Sequence, residues 1–154
     1  MSYTPNKTLL ERLRAVQKSM SSLQEHLADK TDSEATQHVG KYFTDAQAYL
    51  KDTLDRFEEE SDEATLNTFN QIEPAKDPEQ ELKEHMPPPE SPKELIAWTL
   101  ARQKALADWC ETMSTKAISG KTTSLFGEIA EHLNEQGRQF ASDTKPYAQD
   151  YLHP

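Results

Sequence analysis

The chain has one cysteine, four glycines and no apolar run longer than Leu95 to Trp98 in 154 residues. A lone cysteine forms no internal disulfide, and four glycines leave little material for a phosphate-cradling loop. No P-loop, G-x-G-x-x-G or G-x-S-x-G segment occurs. A membrane-spanning helix needs about 20 consecutive apolar residues, so no transmembrane segment is expected. Positive charge is also scarce: 17 Lys and Arg face 27 Asp and Glu, a formal charge of −10. Phosphate backbones repel such a balance, and no basic patch with interleaved aromatics offsets it, so nucleic acid is not an expected partner. The opening MSYTPNKTLLERLR lacks the apolar stretch of a secretory leader, which makes the cytoplasm, a reducing compartment, the expected location.

Proline is confined to a few places. None stands between Pro5 and Pro74 or between Pro92 and Pro146. Each proline-free block is long enough for a pair of helices, while the prolines crowded into residues 61–91 cannot be accommodated in one regular helix. In the first block Leu9, Leu13, Val16, Met20, Leu23 and Leu27 alternate spacings of four and three, the seam of a helix packed lengthwise. Thr4 and Pro5 suit its N-cap and first position. Thr31 and Glu34 read as a capping box for a second helix, with Val39, Tyr42, Phe43, Ala46, Tyr49, Leu50, Leu54 and Phe57 on its apolar face. Ser91, Pro92 and Glu94 are a further start signal, followed by Leu95, Ile96, Leu106, Trp109, Cys110 and Met113. Gly120 suits a left-handed cap and Thr122 the next start, ahead of Leu125, Phe126, Ile129, Leu133 and Phe140.

These patterns predict one all-α domain over residues 1–154, an antiparallel four-helix bundle. Its helices lie near 5–29, 32–59, 92–118 and 122–142, and an acidic, proline-rich crossover over 61–91 joins the two hairpins. Residues 61–92 carry 8 acidic and 2 basic side chains, most of the net charge. A short helix is expected over Ser61 to Ile72, and the terminal Pro146, Tyr147, Tyr151 and Leu152 form a segment apolar enough to dock on the bundle or on a partner.

The plan resembles the ferritin-like superfamily, its rubrerythrin branch in particular, and the closest local likeness is LARQKALADWCETMSTKAISGKTTSLFGEIAEHLNEQGRQF in the second hairpin. That resemblance implies a di-iron centre built from one glutamate on each of two helices and an E-x-x-H pair on each of the others. The chain departs from it. Three residues before His26, His38, His85 and His132 stand Leu23, Ala35, Leu82 and Ile129. The positions that approximately match one family glutamate and one histidine hold Gln103 and Gln136.

Gln103 lies 17 residues before Gly120 and Gln136 lies 16 after it, so an antiparallel hairpin brings them to one height. With Thr99 one turn earlier, they form either a polar layer that fixes register or an altered ligand pocket. Glutamate and histidine recur at i and i+4 in Glu34/His38, Glu81/His85 and Glu128/His132, a spacing that puts both on one helix face. His26, Glu34 and His38 converge near one hairpin end if that turn is tight. Two readings follow. In the first, the chain is a non-catalytic bundle of ferritin-like ancestry acting through protein interaction, as a homodimer through a helix face. In the second it is a metal-dependent oxidoreductase or metal-storage protein, holding iron, manganese or zinc on non-standard ligands drawn from Glu11, Glu25, Asp45, Glu128, Glu131 and His132, with His26, Glu34 and His38 as a further set. Cys110 sits mid-helix on the apolar side, as a small core residue does.

Overall fold

The computed structural model describes residues 3–71 and 91–148. Apolar residues at helical spacing form four long helices: α1 (Asn6–Lys30), α2 (Glu34–Glu60), α4 (Pro92–Lys116) and α5 (Gly120–Asp143). Between and after them lie two single-turn helices, α3 (Glu63–Leu66) and α6 (Lys145–Ala148), and two three-residue strands, β1 (Tyr3–Pro5) and β2 (Phe69–Gln71). The strands pair antiparallel, with Thr4 opposite Asn70. Apart from this ribbon, the described residues are all-α. Helix α1 packs along α2 and α4 along α5, and the two hairpins pack against each other. Asn6, which opens α1, donates to Thr122 in the first turn of α5, so these helices run in the same direction; Tyr42 near the start of α2 meets Asp143 at the end of α5, so these run oppositely.

The expected helices lie within two residues of their observed bounds, but the caps differ. Thr4 is drawn into β1, leaving Pro5 at the N-cap of α1 with no side-chain cap. Thr31 closes α1 through its own N–H to the Leu27 carbonyl, so Ser33 caps α2, its hydroxyl accepting from the Thr36 N–H at 3.2 Å. Ser91 caps α4 as its sequence implies, accepting from the Glu94 N–H at 3.1 Å. Gly120 is not a left-handed cap: Ala117 closes α4 in an extended conformation, no described glycine has positive φ, and Gly120 opens α5. Thr122 is buried inside α5 rather than capping it. The helix expected over Ser61 to Ile72 stops at Leu66, because the Asn67 and Thr68 amides close the turn and the chain then enters β2. Pro146 and Tyr147 fall in α6, which packs against α4 and leaves Tyr147 exposed. The Glu81/His85 pair, most of the crossover, Tyr151 and Leu152 lie outside the described residues.

Two apolar clusters make the core. One gathers Leu10, Val16, Met20, Leu54, Cys110 and Phe126 with their neighbours; the other gathers Val39, Phe43, Leu95, Ile96 and Phe140. In the second, Phe43 and Phe140 meet edge to face with ring centroids 5.2 Å apart. Glycine matters at one helix contact. A Cβ on Gly40 would lie 2.8 Å from the Cβ of Ala28 and 3.0 Å from the Gln24 carbonyl, so the missing side chain lets α2 approach α1 closely.

Candidate functional site

Each long helix carries an inward-placed glutamine between its contributions to the two clusters. Gln24 follows Met20 on α1, Gln47 lies between Phe43 and Leu50 on α2, Gln103 between Ile96 and Leu106 on α4, and Gln136 between Leu133 and Phe140 on α5. Gln24 and Gln47 are 0% exposed and Gln103 is 1%. Gln103 donates to the Gln136 side-chain oxygen at 2.9 Å and to the Leu133 carbonyl at 3.1 Å. Gln136 donates in turn to the Ala46 carbonyl at 3.2 Å, joining α5 to α2, and Gln24 donates to the Thr99 hydroxyl at 3.2 Å, joining α1 to α4. The Gln103–Gln136 pair is the one that the spacing about Gly120 implies, and Thr99 lies in the same layer. Gln24 and Gln47 go beyond that expectation. The side-chain oxygens of Gln24 and Gln103, and both polar atoms of Gln47, have no partner among the described residues.

The other candidates lie on the surface. His26, Glu34 and His38 are exposed near the α1–α2 turn, as are Glu11, Glu25, Asp45, Glu128, Glu131 and His132 on their helices. Among the described residues, no three His, Cys, Asp or Glu side chains are grouped to hold a metal ion. His132 instead sets its ring edge-on to Phe57, centroids 5.6 Å apart. Burial pushes the Cys110 thiol well above its ordinary pKa, with Glu111 adding to the effect, so it is a packed side chain and no nucleophile.

Outside the core, the seam between α2 and α5 stays open. One cavity of about 460 Å³ lies between Ala46, Tyr49 and Leu50 on one side and His132, Gln136 and Phe140 on the other. A second, of about 440 Å³, continues past Phe57 to Ser61, Lys121 and Glu128. Tyr49, expected on the buried stripe of its helix, is 59% exposed on the wall of the first cavity. Gln136 belongs to both features: it lines the seam and is bonded to the buried Gln103. At one end Tyr42 donates to the Asp143 carboxylate, and burial, then that bond and charge, raise the phenol pKa above its usual value. At the other end Lys121 bonds Asp62, which holds that carboxyl below the usual range, helped by the Thr65 hydroxyl and amide.

No family model, curated protein or solved structure matches the chain. No helix among the described residues is long and apolar enough to cross a membrane.

Proposed function

We propose that this protein is a non-catalytic four-helix bundle of ferritin-like ancestry that acts through protein interaction, and that its contact face is the seam between α2 and α5. The observation that carries this reading is the seam itself: an aromatic-lined opening between two long helices, with Tyr49 presented to solvent at its wall. Large exposed apolar side chains beside a groove are the usual mark of a surface that another chain covers. The ferritin-like part of the reading draws on helix direction. Helices α1 and α5 run one way and α2 and α4 the other, the arrangement that a long crossover between the hairpins demands. In that superfamily the inward ligands come from all four helices; here the polar side chains buried in the long helices are amides and threonine hydroxyls, all neutral. Neutral amides hold register between helices well and divalent metals poorly.

A photo-reactive residue at position 49 tests the reading in cells. A discrete adduct from position 49, absent when the same group replaces exposed Lys104 on α4, is the expected outcome, and its mass separates a second copy of this chain from a different protein. Identical labelling from both positions removes the assigned face. The metal alternative has its own measurement: stoichiometric iron, manganese or zinc in protein purified without chelator or metal-affinity tag, lost on changing Glu128 and His132 to alanine, replaces this reading with a metalloprotein.

A further inference from the structure

The two cavities of the α2–α5 seam lie in line. Their lining residues on α2 run from Tyr42 to Glu60, eighteen residues apart or about 27 Å at 1.5 Å per residue, with the Phe57–His132 ring contact standing between the two cavities. That is the length of a five-turn helix. The floor is mainly apolar in the first cavity, where Ala46, Leu50 and Phe140 stand beside Thr53 and Gln136, and mixed in the second, where Phe57 and Leu125 stand beside Thr65. The charged walls are more acidic than basic. Glu135 lines the first cavity and Glu60, Asp62 and Glu128 the second; Arg138 reaches Glu135 at 4.0 Å and Lys121 bonds Asp62, which leaves Glu60 and Glu128 as the carboxylates open to a basic side chain.

Resting on the reading that this seam is a contact face, we propose that its occupant is an amphipathic α-helix with a basic polar face, contributed by a different protein. The apolar part of the floor, with anchor-sized hollows, takes the i, i+3/i+4, i+7 side chains of such a helix, and carboxylates along the rim meet Lys and Arg on its flanks. Charge also disfavours the alternative occupant. A second copy set symmetrically on this face brings Glu135 and Glu128 of one chain against the same rim of the other, and each chain carries −10.

The test uses the full chain and three 18-residue helical peptides sharing one leucine face, with lysine, glutamine or glutamate at the remaining positions, titrated by fluorescence anisotropy at low salt and at 0.5 M salt. The lysine peptide is expected to bind at least tenfold more tightly than the glutamine peptide at low salt and to lose most of that advantage in high salt. Tyr49→Asp separates the groove from general attraction to an acidic protein. It adds a carboxylate at an exposed position, so unspecific charge binding strengthens, whereas docking in the seam weakens at least tenfold. Glu128→Lys with Glu135→Lys is expected to reverse the preference toward the glutamate peptide, and thermal unfolding monitored by circular dichroism confirms that each variant is folded. Equal binding of lysine and glutamine peptides overturns the basic partner while leaving the seam as a contact face. A wild-type dimer that Tyr49→Asp converts to monomer makes a second copy the occupant and overturns the inference. Binding of none of the peptides also overturns it, and the adduct from position 49 then decides whether the contact face itself stands.

Discussion

Two buried polar clusters tie the hairpins together, and they differ in how completely they are bonded. At the start of α1, the Asn6 amide donates to the Thr65 carbonyl and the Thr122 hydroxyl, both at 2.8 Å, while its oxygen accepts from Asn70, which also donates to the Thr4 carbonyl. This one side chain holds α1, α3, β2 and α5 together, and none of these groups is left without a partner. In the glutamine layer farther along the helices, four polar atoms on three residues lack one. A fully bonded cluster fixes a fold, because every alternative arrangement strands a group in the interior. A half-bonded one adds little stability and divides the core in two. The half-bonded layer is also the one that reaches, through Gln136, the seam that stays open.

Asn6→Ala tests the contrast between the two clusters most severely. It removes a central donor and acceptor and leaves Asn70, Thr122 and the Thr65 carbonyl short of a partner, for an expected loss of about 3 kcal/mol. Urea unfolding with an unchanged slope checks it; a loss below about 1 kcal/mol would put the Asn6 cluster on a par with the glutamine layer. Next comes Gly40→Ala. The added methyl meets a Cβ and a backbone carbonyl of α1, neither of which can swing aside, so the helices must separate, for an expected loss of about 2 kcal/mol.

The glutamine layer itself gives a pair of substitutions with opposite expected signs. Gln103→Leu deprives Gln136 and the Leu133 carbonyl of their donor and is expected to lower stability by about 1 kcal/mol. Gln47→Leu removes two unpartnered polar atoms from a fully buried position and is expected to raise stability by up to about 1 kcal/mol. Both are read from denaturant midpoints. A Gln47→Leu variant that is less stable than the parent shows that the Gln47 amide is satisfied, and the contrast between the two clusters then disappears.

How much of this was legible in the sequence depended on which interaction decided each position. Helix number, length and placement follow from apolar spacing and proline, which act locally. Gln103 and Gln136 were readable because both lie at similar distances from one turn. Gln24 and Gln47 carry no apolar signal: Leu23 is the apolar residue next to the seam, yet the spacing of four and three runs from Met20 through Gln24 to Leu27, and it is Gln24 that is fully buried. Tyr49 fails in the opposite sense, an aromatic at core spacing that faces solvent because α5 does not close over it. The Asn6 cluster left no local trace. It joins residues 59, 64 and 116 positions apart, and long-range pairing of that kind has no period. The same pairing overrode the local cap signals at Thr4 and Thr122.

The far end of the hairpin pair offers the smallest effect and a different kind of bond. There Tyr42 on α2 donates to the Asp143 carboxylate at the end of α5, closing the seam with an ionised acceptor where the Asn6 cluster uses neutral groups. Partial burial and the Asp143 interaction both favour the neutral phenol, so its pKa in the fold lies above the unfolded value of about 10. Because the raised pKa belongs to the folded state, the contribution is fully present below pH 10 and drains away as the pH rises from there toward the folded value. The side chain is only partly buried, and solvent reduces the magnitude, so Tyr42→Phe is expected to lower stability by about 0.5 kcal/mol at pH 8. Comparing denaturant midpoints of parent and variant at each pH cancels the other tyrosines. The gap between them should hold constant from pH 7 to 9.5 and then narrow. A gap that stays constant to pH 11 would mean that Tyr42 titrates alike in folded and unfolded chains, and the Tyr42–Asp143 bond would then contribute no pH-dependent closure to the seam.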